Sequence, residues 1–274
     1  METLLQLYEF ESVHGSDDEK ALADFVEKFL QKHDKPYTRY GNCLFSLDTP
    51  DVPILSAHID QIETDGKAVH FVMTPEEHIR GYNKDWERTS LGADDKNGVW
   101  LILKLIEAGY NFNFIISDGE ECGCLGIKSL ENLGYLKSIP EDTYCIVLDR
   151  RGDCEILKSG SGGAYCSTLA QCLCNFLDNR YVVGVGTLSD TATICKYCES
   201  VNMSVAYHNA HLETEYTDWF SLQEILEDLK LILTDFLHYP TPPKVYKEVV
   251  KTSSVPSTSY YSSKWGGYYD DYGY

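Results

Sequence analysis

Positive charge is scarce in this chain. Its 274 residues hold 23 Lys and Arg against 43 Asp and Glu, a net charge of −20 with histidines neutral. A sequence-independent nucleic-acid binder needs cations to displace phosphate counterions, and a binder of anionic membranes needs a basic surface, so both classes are excluded as expectations. Long apolar runs are also missing: none approaches the roughly 20 residues that span a bilayer. The first residues, METLLQLYEFESVHG, are acidic and lack the basic start of a secretory signal. The expectation is a cytoplasmic protein whose ten cysteines are reduced thiols. Cys195/Cys198 (C-x-x-C) and Cys172/Cys174 (C-x-C) imitate zinc-binding pairs, but they lie in apolar periodic segments and are read as small buried hydrophobes.

What is present is an alternation of helix-like and strand-like text. Ser16 with Glu19 forms a capping box before Leu22, Phe25, Val26, Phe29 and Leu30 at helical spacing. Residues 42–47 alternate like a strand, and 53–57 is a short apolar run. Residues 61–90 are polar and read as loops with a hairpin near 70–73. A helix runs from Asn97 to a stop at Gly109, then a strand over 112–117, a helix over 127–133 and a strand over 144–148. An edge strand over 155–157, a helix over 167–177, a strand over 181–185, a helix over 190–197 and a strand over 201–206 follow. Ser221 with Glu224 reads as a second capping box, opening a helix whose apolar face runs from Leu222 to Leu237. This order implies an α/β fold: a mostly parallel mixed sheet with helices on both faces. Prolines at 240, 242 and 243 end the periodic text, and 240–274, rich in Ser, Tyr and Gly, reads as a flexible tail. Its tyrosines are either contacts for a partner or simply solvated.

Five segments hold most of the acids and imidazoles: His58-Ile-Asp60; Gly92-Ala-Asp94-Asp95-Lys-Asn-Gly98; Glu120-Glu121-Cys-Gly-Cys-Leu-Gly126; Asp149 at a strand end; and Ala210-His211-Leu-Glu-Thr-Glu215. Each alone is weak, since Asp-Asp before a helix is often a cap and H-x-D a satisfied histidine. Four follow strand-like runs and one opens a helix, so an open α/β sheet would gather them on the rim beyond its strand ends. Buried carboxylates converging there need a neutralising partner, and a divalent cation supplies one.

Taken in order, these motifs resemble the di-zinc exopeptidase superfamily of leucyl aminopeptidase-like, glutamyl aminopeptidase-like and peptidase T-like enzymes, over residues 55–215. The resemblance implies the zinc aminopeptidase-like, phosphorylase/hydrolase-like fold and two divalent cations, most simply zinc. One cation would take His58, Asp94 and Asp149, the other Asp94, Glu121 and His211, with Asp94 shared. Glu120 matches the general base acting on a metal-bridging water, and Asp60 the acid that orients His58. The resemblance also implies a cis peptide after Asp94. Asp94 is preferred to Asp95 by its distance from Gly98, and His211 to His208 by its distance from Glu215. His14, His33, His70, His78 and His238 match nothing; a substrate role stays open for His70 and His78. Cys122 and Cys124 depart from the aliphatic residues usual there and are read as filling apolar space.

The implied activity is hydrolysis of peptide bonds, most simply by an aminopeptidase acting on short peptides. A deacylase or carboxypeptidase would clamp a substrate carboxylate with Arg, and Arg150 and Arg151 follow Asp149 directly. A non-catalytic binding protein would be expected to lack the base or a ligand, and each is present. The stretches between His58 and Asp94 and between Asp149 and His211 are too short for the relatives' inserted domains. The expectation is a single catalytic domain over 1–239, with its oligomeric state open.

Overall fold

The computed structural model describes residues 1–236 except positions 65, 141 and 162, so the proposed tail, His238 and Leu237 lie outside the described residues. Chain order runs α1 (Glu2–Tyr8), α2 (Asp17–Lys32), β1 (Thr38–Tyr40), β2 (Cys43–Ser46), β3 (Ile54–His58), β4 (His70–Met73), β5 (His78–Tyr82), β6 (Arg88–Thr89), α3 (Ala93–Glu107), β7 (Asn113–Ser117) and α4 (Leu125–Asn132). A short 3-10 turn (Tyr135–Ser138) precedes β8 (Tyr144–Arg150), β9 (Glu155–Leu157), β10 (Ser159–Gly160), β11 (Gly163–Ala164), α5 (Ser167–Phe176), β12 (Val182–Gly184), α6 (Thr191–Ile194), β13 (Glu199–Ser204), β14 (Tyr207–His208), β15 (Tyr216–Asp218) and α7 (Trp219–Asp235).

Eight strands form the main sheet, in the order β1-β2-β7-β3-β8-β13-β9-β12. Its centre, β7-β3-β8-β13, is parallel, and β2 and β9 flank it antiparallel. The parallel strands are apolar at nearly every position because both faces are covered. Alternate residues feed two cores: Leu55, Phe114, Ile116, Ile146 and Leu148 join the cluster that includes α1, α2, α3, α5 and α7. Ile54, Ile115, Cys145 and Val147 join the smaller cluster with α4 and the 3-10 turn. The fold is therefore α/β, with helices on both faces of a mostly parallel mixed sheet.

The polar stretch 61–90 differs from the loop-and-hairpin expectation. It forms β4, β5 and β6, which join β14 and β15 in a second, antiparallel sheet ordered β14-β15-β5-β4 with β6 on β5. Its short strands alternate half-buried and buried positions (His78–Tyr82, for example), so no sustained apolar period marked them. The helix expected over 190–197 contracts to the four residues of α6.

Caps show how local chemistry sets the helices. Ser16 accepts from Glu19 N (3.0 Å), but the Glu19 carboxylate turns to Gly15 N, His14 and Asn42 instead of closing the box. The second box does not form. Asp218 caps α7 by accepting from Ser221 N (3.0 Å), and Glu224 instead pairs with Arg180. Asp is as good a cap as Ser, and the apolar Trp219 and Phe220 obscured the earlier start.

Candidate metal centre

Parallel register brings the candidate residues to one rim. His58, the last residue of β3, pairs with Ser117, the last of β7, and β3 is also in parallel register with β8, which carries Asp149. The chain then turns through Gly119, whose positive φ (63°) lets Glu120 and Glu121 swing back over the rim. Asp94 lies at the start of α3 with non-helical backbone angles, and its peptide to Asp95 is cis. His211 lies between β14 and β15, also at positive φ. Gly98 allows α3 to approach β8: a Cβ there would meet the Leu148 carbonyl at 2.2 Å and Asp95 Oδ1 at 2.6 Å.

The seven residues meet. His58 Nε2 lies 3.4 Å from Asp94 Oδ1, 3.7 Å from Asp149 Oδ1 and 4.0 Å from Glu120 Oε2. On the outer side, His211 Nε2 is 2.7 Å from Glu121 Oε1 and 3.4 Å from Asp94 Oδ2. Candidate ligand atoms of His58, Asp94 and Asp149 lie within 4.8 Å of one another, and so do those of Asp94, Glu121 and His211. Asp94 belongs to both sets, with one oxygen toward each imidazole. Asp95 faces elsewhere and accepts from His58 N and Gly98 N. His208 stacks on Tyr216 (4.7 Å, 9°) and groups with Asp153 and Asp218, whereas His211 groups with Asp94 and Glu121. Of the other histidines, His70 stacks on Trp86, His78 on Tyr216 and His33 on Phe29.

Asp60 sits behind this arrangement. His58 Nδ1 lies 3.0 Å from the Asp60 backbone carbonyl and 3.3 Å from its carboxylate. That carboxylate accepts from Glu120 N and Glu121 N (2.9 and 3.0 Å), so one acid steadies both the imidazole and the glutamate turn. Glu215, marked in the sequence only by its spacing from His211, has a structural task. Its buried carboxylate accepts from Ser90 Oγ, Leu91 N, Ala93 N and Asp94 N, clamping the segment that presents Asp94. Asp190 escaped the sequence reading: it is buried, hydrogen-bonded to Ser117 Oγ through one oxygen, and its other oxygen has no hydrogen-bond partner. Its signal, an acid after Thr187-Leu-Ser, was absorbed into a helix start. Cys124 is buried, with Sγ 3.6 Å from Glu120 Oε1. Cys122 is exposed, against the space-filling expectation.

Crowding shapes the electrostatics. Burial and then the Asp149 carboxylate push Glu120 up to about 9. Burial pushes Asp149 up to about 7, against the pull of His58. Burial would raise Asp94 too, but the imidazoles of His211 and His58, each 3.4 Å away, hold it well below the usual carboxylate range. Asp94 and then Glu121 raise His211 to about 10. His58 is raised as well, because Asp149, Asp60 and Asp94 outweigh its burial. Such a cluster stabilises positive charge at its centre and resists ionising without it. His58 Nε2 and Asp94 Oδ1, both buried, have no hydrogen-bond partner although they face each other. Unpaired buried polar atoms are costly, and donors aimed at a shared cation remove that cost. The residues present therefore fit a divalent cation in each set. Imidazole and carboxylate donors suit zinc, and cysteine is absent from the candidate groups among the described residues.

The site opens into a cleft of about 810 Å³ lined by Asp94, Glu120, Glu121, Asp149 and His211, with Arg150 and Arg151 beside them. Arg150 is held by Glu155 (2.7 Å).

No protein-family profile and no curated protein matches the sequence. Solved structures do match the fold. The chain is similar to the aminopeptidase PepT of Bacillus cereus (TM-score 0.67, 14% identity, covering 85% of this chain and 96% of the other). It is similar to a tripeptidase of Staphylococcus aureus (TM-score 0.65, 15% identity, 85% and 97%). It is also similar to the TET1 peptidase of Pyrococcus horikoshii, which can assemble into a tetrahedron or a large octahedral shell (TM-score 0.61, 14% identity, 85% and 99%). The chain has the fold of these zinc-peptidase-like proteins, in agreement with the resemblance read from its motifs. Among the described residues, no helix is long and apolar enough to cross a membrane.

Proposed function

We propose that this chain is a metal-dependent hydrolase of peptide bonds, a two-zinc aminopeptidase acting on short peptides. The observation that carries the reading is the pair of three-residue donor sets sharing Asp94, with Glu120 beside both. His58, Asp94 and Asp149 would hold one cation, and Asp94, Glu121 and His211 the other. When bound, such a pair lowers the pKa of a water toward neutrality and polarises a carbonyl. Glu120 takes a proton from the attacking water as the water oxygen bonds to the peptide carbonyl carbon. It returns that proton to the departing nitrogen as the C–N bond breaks. Its neighbour Glu121 is engaged with His211, which leaves Glu120 for the proton. Asp60 keeps the base in place through the two backbone N–H groups it accepts from. Aminopeptidase and tripeptidase relatives of the same fold support this reading.

Replacing Glu120 with Gln keeps the shape and removes the base. The variant is expected to lose at least about 10²-fold in kcat while retaining the wild-type zinc content, measured by peptide hydrolysis and elemental analysis. Retained activity would remove Glu120 from this role. A carboxypeptidase or deacylase is the second reading, because Arg151 lines the cleft. Mass spectrometry of the products of a peptide library decides between them by the end that is shortened.

A further inference from the structure

We infer that Arg151 is the anchor for a substrate's free α-carboxylate, which makes short peptides with both ends free the substrate class of this cleft. This rests on the peptidase reading above.

The cleft wall is acidic: Asp94, Glu120, Glu121, Asp149 and Glu155 all line it. Among the described residues lining it, Arg150 and Arg151 are the only lysine or arginine side chains. Arg150 is committed, since its Nε and Nη2 donate to Glu155 Oε2 at 2.8 and 2.7 Å. Arg151 is exposed, with no ion-pair partner among the described residues.

The backbone that carries it is fixed. The Arg151 carbonyl accepts from Ser204 Oγ (3.0 Å), and Gly152 N donates to the Tyr207 carbonyl (2.8 Å). Val205 N and Ala206 N donate to the carbonyls of Arg150 and Gly152 on either side (2.8 and 2.7 Å). The guanidinium thus hangs from a rigid edge two positions beyond Asp149, an expected cation ligand. An extended tripeptide spans roughly 10 Å, so its two ends sample different parts of the cleft. A guanidinium meets a carboxylate through two parallel hydrogen bonds, and with Arg150 held by Glu155, Arg151 is the cleft's uncommitted one. Exposed Leu188 and Leu212 on the same wall offer apolar contact to side chains between the ends.

The test uses the zinc-loaded full chain with Leu-Gly-Gly and its C-terminal amide as probes. Hydrolysis gives kcat and KM, and calorimetry gives the affinity of each peptide for the zinc-loaded Glu120→Gln variant. The free acid is expected to have a KM about tenfold below that of the amide, the scale of one charge-assisted hydrogen bond, and the affinity ratio to follow it. Arg151→Gln brings the acid-to-amide ratio close to one, and Arg151→Glu inverts it; the side chain is exposed, and circular dichroism checks that both variants fold. Equal handling of acid and amide by the wild type, or a ratio unmoved by Arg151→Gln, overturns the proposal while leaving hydrolysis intact. Failure to cleave either peptide overturns the peptidase reading instead. The affinity ratio then still decides Arg151: a ratio near one overturns the anchor, and a ratio abolished by Arg151→Gln upholds it.

Discussion

Single side chains in this protein act through what they leave unpaired as much as through what they bind. His58 Nε2 and Asp94 Oδ1 are buried without hydrogen bonds, whereas Asp95 next door spends its oxygens on backbone N–H groups. That difference, invisible in an Asp-Asp pair, assigns the two acids to different tasks. His14 shows a titrating group with an ordinary structural task. Burial alone would lower its pKa, but hydrogen bonding and charge from Glu19 (3.0 Å) raise it above 6.5. Because the folded value lies above the unfolded one, the stabilisation is complete below about pH 6.5 and fades as pH rises through the folded value. Urea denaturation of wild type and His14→Gln should therefore show a stability gap at pH 6 that shrinks by pH 8.5. A gap independent of pH would contradict the ion pair.

At the scale of elements, the start of a helix is where sequence reading and structure part most often. Ser16 caps α2 as its spacing suggests, yet α7 is capped by Asp218, three residues before the serine that looked like the cap. Asp218→Ala is expected to cost about 1 kcal/mol in urea denaturation. Ser221→Ala should cost clearly less, since Ser221 supplies a backbone N–H to the cap, and equal losses would restore Ser221 as the cap. The segment leading into α3 depends on one acid in another element. Glu215→Ala would leave the donors of Ser90, Leu91, Ala93 and Asp94 without their acceptor. The expected loss is at least about 2 kcal/mol of stability, with a weakening of zinc affinity on the order of 10-fold, read by denaturation and competitive chelation. Loss of stability with zinc affinity unchanged would confine Glu215 to the fold. The buried parallel strands were legible because unbroken apolar runs such as Ile54–Ala57 and Tyr144–Leu148 have few alternatives. The strands of the second sheet were not, because they are short, half exposed and held by partners far along the chain, Ile79 against Thr217 among them.

For the molecule as a whole, the order of the motifs carried more than any one of them. His58, Asp94, Glu120, Glu121, Asp149 and His211 are scattered over most of the described chain; parallel strands bring His58, Asp149 and the turn with Glu120 and Glu121 to one rim, where the start of α3 adds Asp94 and the β14–β15 connection adds His211. The supporting residues were harder to read. Asp190 reaches the cluster through Ser117, and Arg151 matters through the absence of a partner, which spacing does not encode. The net charge of −20 and the packing of the acids make this rim a place where added positive charge is favourable. The shared position of Asp94 makes that claim quantitative. Zinc bound per chain, measured by native mass spectrometry, is predicted to be two for the wild type, one for His211→Ala and none retained at stoichiometric zinc for Asp94→Ala, whose carboxylate serves both sets. Two zinc ions held by Asp94→Ala, or none by the wild type, would contradict the shared two-cation centre.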